Sequence, residues 1–330
     1  MLKEHEIDFV IIWVDDSDPQ WQTERQKYAA EDENYMNVNN CRYRDWGLLP
    51  YWFRSVEQYA PWVRTIHFVT CGHYPEWLNM DHPKLHFVKH ADYIPKEYLP
   101  TFSPFPIELN LHRIEGLAEL FVYFNDDMFV TAPVQPTDFF YNGLPRDIAL
   151  RAIPLIGDIG MNNLNDINII EKEFYFFSHF KKNLWKWMNY RYGIQCLRNI
   201  HLLPYKYFTG VKNTHVANSF RKKTFEEVWQ KYDDVLDKTC HHRFRSPLDV
   251  NQWLMKYWQI VSGEFYPQRY SFGKHFFVTQ TKEIERELNR KRTKLLCVND
   301  YEGATNFPQL KEEMIRIFQH IFPVKSTFEL

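Results

Sequence analysis

Glycine is scarce in this chain, at 11 of 330 residues, and no glycine-rich stretch forms the backbone cradle that P-loop and dinucleotide-binding proteins use for phosphate. Cysteine is scarce too. Cys41, Cys71, Cys196, Cys240 and Cys297 are odd in number and widely scattered. There is no C-x-x-C pair and no Cys/His cluster at zinc-finger spacing. This excludes a disulfide framework and predicts free thiols in a reducing cytoplasm. No apolar run approaches transmembrane length, and the N-terminus, M-L-K-E-H-E-I-D, lacks the layout of a signal peptide. A soluble protein is expected, touching a membrane at most from the side. An excess of positive charge is also missing: 40 basic against 42 acidic residues give a formal charge of −2, which argues against a general nucleic-acid binder.

Aromatic residues are abundant. They make up 18% of the chain, with 11 Trp, 20 Tyr and 27 Phe. Aromatics line sugar and nucleobase sites, but they also fill cores, so their number alone decides nothing. Hydrophobic and charged fractions of 45% and 25% are those of a globular protein with a large core.

The most informative stretch is 120–130, L-F-V-Y-F-N-D-D-M-F-V. It predicts a buried strand that breaks at Asn125-Asp126-Asp127 and turns apolar again at once. In open α/β sheets ligands sit at the carboxyl ends of strands. Two adjacent carboxylates there repel unless a cation or a shifted pKa relieves them. An Asx-rich turn is the competing account.

Residues 7–14 predict a first strand, broken by Asp15-Asp16-Ser17-Asp18-Pro19. Asp18 before Pro19 has the form of a helix N-cap, compatible with a loop that faces a nucleotide. A helix over 20–30 follows, then a polar loop over 31–40. Arg42 and Arg44 precede a helix over 48–59, where they clamp phosphate or pair with nearby carboxylates. Strands are predicted at 65–70 and 85–89, so strand and helix alternate as in a doubly wound parallel sheet.

A helix is predicted over 107–120, with Glu108, His112 and Glu115 on one face and Arg113 beside it. Further on, 147–154 reads as an edge strand, 162–168 as a polar loop and 168–192 as helix. His215 stands in a polar turn before a helix at 224–232. Residues 240–245, C-H-H-R-F-R, lead into a helix start at Ser246-Pro247 with Asp249 in its first turn. Arg243 or Arg245 suits a phosphate contact there better than zinc. Residues 294–300 repeat the earlier logic, a short strand ending in Asn299-Asp300, and 311–320 reads as an amphipathic helix.

Taken together, these segments resemble the Stealth family. W-V-D-D-S-D-P at 13–19 resembles its first motif. Residues 42–70 and 99–129 resemble the two ends of its long second region. His215 through Asp249 echoes the third and Cys297-Val298-Asn299-Asp300 the fourth. Three positions depart from the family pattern: Ala217 replaces a proline, Asp15 stands where Asn is common and Asp16 where Gly is.

The resemblance implies a sugar-1-phosphate transferase that uses a UDP-sugar donor, a glycan acceptor and a divalent cation, Mg²⁺ or Mn²⁺. Bacterial members build capsular and other surface polysaccharides. The implied fold is an α/β, Rossmann-like, mostly parallel sheet, a nucleotide-sugar-binding core of GT-A type with helical insertions. One catalytic domain over 1–330 is expected, with its core at about 1–150 and 205–300 and a helical insertion or lid at about 160–205. Residues matched to the family are Asp18, Glu108, Arg113, Asp126, Asp127, His215, Arg245, Asn299 and Asp300.

The expected roles follow from phosphoryl-transfer chemistry, which needs in-line positioning and charge neutralisation. His215 is the expected general base, since imidazole ordinarily titrates near neutral pH, with Asp126 second. Arg245 and Arg113 hold phosphoryl oxygens, and Glu108 joins the catalytic group. Asp127, Asn299 and Asp300 hold the metal, while Asp18, Arg42, Arg44, His112 and Arg243 bind substrate. The expected location is cytoplasmic, at the inner face of the cell membrane and beside other polysaccharide-assembly enzymes. The rivals are a metal-dependent glycosyltransferase releasing UDP and a non-catalytic carbohydrate-binding protein.

Overall fold

The first apolar run forms the strand β1 (Ile7–Ile12), followed by β2 (Ile66–Thr70), β3 (Leu85–Lys89), β4 (Leu120–Phe124) and β5 (Met128–Val130). Among the described residues six more strands follow: β6 (Phe140–Tyr141), β7 (Leu144–Asp147), β8 (Asn218–Arg221), β9 (Tyr266–Pro267), β10 (Gly273–Phe277) and β11 (Leu295–Asn299). The structure is a computed structural model and describes residues 6–31, 43–154, 157–301 and 303–330.

The main sheet has the order β3-β2-β1-β4-β8. Its first four strands are parallel and β8 runs antiparallel at the edge. Both faces are covered. Phe9, Ile11, Val122 and Phe124 lie in one apolar cluster with Trp52. Val10, Phe121 and Tyr123 lie in another. Burial on both faces is why these strands are continuously apolar rather than alternating. Trp52 meets Phe124 edge-on at 5.5 Å, which seats the helix Leu49–Tyr59 against β4.

One polar residue interrupts β1. Asp8 is fully buried, yet it accepts from Arg64 (2.8 Å), the Ala118 amide (2.7 Å) and, across 3.0 Å, faces His67 Nε2. Burial pushes its pKa up, but these partners more than offset that and leave it lowered.

The order places a switch point between β1 and β4, since the chain winds outward through β2 and β3 and then returns to the other side of β1. Ligands of doubly wound sheets bind at such a point, beyond the strands' carboxyl ends. A second sheet of order β10-β11-β5 carries the carboxyl end of β11 to the same place. Its β11 pairs antiparallel with β5, with Cys297 opposite Met128. A third sheet, β6-β7-β9, adjoins the main sheet where β7 meets the edge strand β8.

Several expectations are corrected. The segment at 107–120 is not one helix: an α-helix covers Pro104–Leu109 and a 3₁₀ turn Leu111–Arg113. Asn110 ends the helix, its side-chain Nδ2 donating to the Pro106 carbonyl at 2.8 Å, and the shared face of Glu108, His112 and Glu115 is lost. The loop at 162–168 is instead part of the helix Asp158–Glu173. There Asn162 and Asn165 donate to carbonyls of residues 246–249, a tertiary use of polar side chains that overrides their weak helix propensity. Residues 168–192 are broken into the helices Phe176–Lys182 and Leu184–Trp187 and a 3₁₀ segment, Tyr190–Cys196. The edge strand at 147–154 reduces to β7 and a bridge between Arg151 and Val211. The helix at 224–232 extends over Lys222–His241. The helix after Ser246 starts only at Trp253, because Asp249 turns back to accept from the Ser246 amide at 2.7 Å. Arg42, Cys41 and most of the loop at 31–40 lie outside the described residues. Among the described residues no helix is long and apolar enough to cross a membrane, and the four described cysteines are free.

Candidate active site

The turn Asn125-Asp126-Asp127 lies directly at the carboxyl end of β4. Buried strands on either side leave the three polar residues as the only part of the run that is not fully enclosed, and the Met128 amide closes the turn on the Asn125 carbonyl at 3.2 Å. The Val298 amide then donates to the Asp127 carbonyl at 2.9 Å, locking the turn to β11. This places the Cys297 thiol 3.2 Å from Asp127 Oδ2, to which it donates.

His215 arrives from a different part of the chain. Its backbone is left-handed, with φ 47°, a conformation that costs a non-glycine residue energy and recurs at functional sites. Its amide donates to Asn213 Oδ1 at 2.6 Å. Its Nε2 stands 3.9 Å from Asp127 Oδ2 and 3.3 Å from Asn299 Nδ2. Ligand atoms of Asp127, His215 and Cys297 all lie within 4.8 Å of one another.

The electrostatics are those of crowded carboxylates. Burial first, then Asp127 and Asp45, push Asp126 up to about 8. Burial also raises Asp127, against the pull of His215 and the Cys297 hydrogen bond. Asp127 Oδ1 is buried and has no hydrogen-bond partner. An orphaned buried carboxylate oxygen beside a second carboxylate is what a cation would satisfy. Asp300 lies nearby but is already engaged: Trp46 donates to Oδ2 at 3.2 Å, Arg44 pairs with it at 3.6 Å, and the Tyr301 amide takes Oδ1 at 2.7 Å. Arg44 also donates to the Ala304 carbonyl.

Behind the turn runs a hydrogen-bonded chain. The Tyr123 hydroxyl contacts Glu108 Oε1 at 2.9 Å and Asn125 Oδ1 at 2.6 Å. One hydroxyl proton cannot serve two acceptors. Burial lifts Glu108 to about 7, against Tyr123 and Arg245. A neutral Glu108 resolves the count, donating to Tyr123, which donates to Asn125. Arg245 lies over Phe105 at 5.4 Å, close enough to act on Glu108 by charge.

Other expected residues lie elsewhere. His112 stacks on Phe225 at 5.9 Å, and burial, then Arg113, lowers it to about 3. Arg113 sits over Trp229 at 4.9 Å. The break at Asn110 turns both toward the helix Lys222–His241 and away from the partners of Glu108. Arg243 donates to the Pro100 carbonyl at 2.9 Å and covers Tyr28 at 4.5 Å, which fixes the loop at 99–103. Asp18 caps the helix Pro19–Glu31, accepting from the Gln20 and Trp21 amides at 2.8 and 3.0 Å. Those amides, the Trp21 one foremost, lower its pKa.

Sequence reasoning missed Tyr123, Cys297, Asp45 and Trp46 as parts of this region. Tyr123 was traceable, because it lies two residues before Asn125 on the same strand face. The others depend on which strands pair. The loop after β1, expected to face a nucleotide, borders a cleft of about 240 Å³ lined by Trp13, Asp15, Ser17, Asp45, Gly47 and Trp77 among others. The Trp13 indole N–H in its wall is buried and unpartnered. The amino end of the helix Leu49–Tyr59 opens on it, an end that favours anions.

Comparison with known proteins finds relatives along nearly the whole chain. Sequence models of Stealth protein conserved regions 1, 2 and 3 match residues 5–33, 42–147 and 214–261. The stretch 297–300 lies outside those matches. The chain is 41% identical to a capsular polysaccharide phosphotransferase, WcwK, of Streptococcus pneumoniae over 328 residues, 98% of each chain. It is 37% identical over 327 residues to an exopolysaccharide phosphotransferase, cps2G, of Lactiplantibacillus plantarum, covering 98% of this chain and 96% of the relative. It is likewise 37% identical over 336 residues to a receptor polysaccharide phosphotransferase, WefC, of Streptococcus gordonii, covering 98% and 99%.

Proposed function

Because this chain belongs to the Stealth family, we propose that it is a phosphotransferase of bacterial surface-polysaccharide synthesis that moves a sugar-1-phosphate from a UDP-sugar to a hydroxyl of an acceptor glycan. The acceptor oxygen attacks the phosphorus that carries the donor sugar. A new P–O bond forms, the bridging P–O bond breaks, and its electron pair leaves with UMP. His215 Nε2 takes the acceptor proton. The observation that carries this reading is the convergence of His215 with Asp127, 3.9 Å apart at the sheet's switch point, since a base and an acidic, cation-ready group must lie side by side for such a transfer.

The donor's nucleotide end suits the cleft beside Trp13, Asp15 and Trp77, where aromatic walls and an unpartnered indole N–H fit a base. The residue types fit a divalent cation, as the orphaned Asp127 Oδ1 indicates. Mg²⁺ or Mn²⁺ would be held by Asp127 with Asp126 beside it, and with Asn299 and the remaining lone pairs of Asp300. Hard ions of this kind take carboxylate and carbonyl oxygens. Bound there, such an ion supplies neutralising charge for a diphosphate. Arg245 supports the same end with a fixed positive charge, and Glu108 holds Tyr123 and Asn125 in place. Residues 1–150 and 205–300 thus supply the reacting centre, and 160–205 forms an insertion beside it.

The test is nucleotide release. Incubation with UDP-GlcNAc, UDP-ManNAc, UDP-Gal and UDP-GalNAc, an acceptor and metal is expected to yield UMP and a phosphodiester-linked product by mass spectrometry. Release of UDP would establish a glycosyltransferase instead, and no turnover with any donor would favour a carbohydrate-binding role.

A further inference from the structure

The outer side of the insertion carries a chemistry that the transfer reaction does not use. Residues 175–207 contain six Lys and Arg and no Asp or Glu, only Lys186 among the six being buried, in a chain whose net charge is −2. The same region concentrates the molecule's exposed apolar side chains. Tyr175, Trp185, Tyr190 and Ile194 are 70%, 52%, 80% and 78% exposed, although residues of these types are ordinarily covered.

This exposure is not the result of a loose segment. Its inner side is tightly held. Asn199 accepts from the Arg151 amide at 2.7 Å and donates to the carbonyls of Ala149 and Trp187 at 2.8 and 2.6 Å. The buried Tyr192 hydroxyl accepts from the Ala149 amide at 3.2 Å and donates to the Lys186 carbonyl at 2.8 Å. The Arg151 guanidinium holds the carbonyls of Leu202, Tyr205 and Tyr207. With Phe176, Phe180 and Trp187 buried beneath, the aromatic and basic side chains are held outward by a fixed scaffold.

From this we infer that the outer face of residues 175–207 is a docking surface for an anionic lipid membrane. Exposed Trp and Tyr rings interleaved with Lys and Arg suit the headgroup level of a bilayer, where rings enter the interface and cations meet lipid phosphates. A second copy of the chain is a poor occupant, because a two-fold interface would set this acid-free segment against itself, cation to cation. The inference stands apart from the transfer chemistry, and its test needs no turnover.

The experiment is vesicle flotation of the full chain with phosphatidylcholine alone and with added phosphatidylglycerol. Binding is expected only with phosphatidylglycerol, and it is expected to weaken in about 0.5 M salt, where the Debye length shrinks to about 4 Å. Lys181, Lys182 and Lys206 are exposed. The triple variant K181A/K182A/K206A is expected to bind on the order of a hundredfold more weakly, at about fivefold per cation near the surface. The variant W185S/Y190S/I194S is expected to lose binding while unfolding at the wild-type temperature. Equal binding to both vesicle types, no binding to either, or wild-type binding by the lysine variant would overturn the inference. So would self-association that disappears with the aromatic variant, or capture of a soluble acidic polysaccharide in place of vesicles.

Discussion

The Tyr123 hydroxyl lies 2.9 Å from Glu108 Oε1, and this contact joins the short helix at 104–109 to the turn that carries Asp126 and Asp127. Glu108 is buried and raised to about 7. Between the ordinary carboxyl pKa and 7 the folded chain therefore holds a proton that the unfolded chain has released. The stability from Glu108 is complete below pH about 4.5 and is lost as pH rises through 7. Glu108→Gln, neutral at every pH and able to donate to Tyr123, is expected to flatten that part of the profile. Glu108→Ala is expected to lose about 1–3 kcal/mol through the missing partner. Thermal unfolding across this pH range distinguishes them.

Removing the imidazole at 215 is expected to abolish proton transfer without unfolding the protein. Asn is the appropriate replacement, because it tolerates the left-handed backbone at φ 47° better than Ala does. His215→Asn is expected to lower kcat by about 10²–10⁴ and to leave the free energy of unfolding within about 0.5 kcal/mol of wild type. A wild-type rate would remove His215 from the mechanism.

The two adjacent aspartates are expected to behave differently. Asp127 shares its environment with His215 and Cys297 and has an orphaned Oδ1, whereas Asp126 feels Asp127 and Asp45. Asp127→Asn is expected to weaken Mn²⁺ binding by the protein alone at least about tenfold, the loss that follows even when only a hydrogen-bond partner of a metal ligand is removed. Asp126→Asn is expected to weaken it less. Mn²⁺ titration followed by EPR reads this without any turnover, and equal losses would contradict the division.

Acid is expected to destabilise the fold through two buried histidines. Burial lowers His90 to about 3, and burial together with Arg113 does the same to His112. An unfolded histidine binds a proton below about 6.5 and these folded ones do not, so stability falls as pH drops from about 6.5 toward 3. Each contributes up to about 1.4 kcal/mol per pH unit. His112 has an unpartnered buried Nδ1 and stacks on Phe225, so His112→Phe is expected to shorten the acid limb and raise stability near pH 5. Denaturant unfolding at several pH values checks both signs.

Much of the fold was legible in advance. Continuous apolar runs ending in Asn and Asp identified β1, β4 and β11, because a strand buried on both faces must be apolar throughout and must turn polar where it leaves the core. The helical stretches fared worse. Asn162 and Asn165 read as loop because in isolation they are poor helix formers, yet distant carbonyls at 246–249 supply partners for them. Asn110 ended a helix that its neighbours' spacing would have continued, because its own side chain takes a carbonyl within that helix.

Sequence alone thus determined that the chain is α/β, and it marked the two Asn-Asp strand ends as candidates for its chemistry, with the family resemblance adding His215 and Arg245. The strands follow from local composition, where apolar runs and polar breaks are visible residue by residue. Tertiary structure decided which of them meet. The pairing of β11 with β5 brings Cys297 and Asn299 to Asp127 and His215. The break at Asn110 sends His112 and Arg113 to Trp229 and leaves Glu108 to Tyr123. Strand pairing depends on partners a hundred or more residues away, and no local pattern encodes those distances.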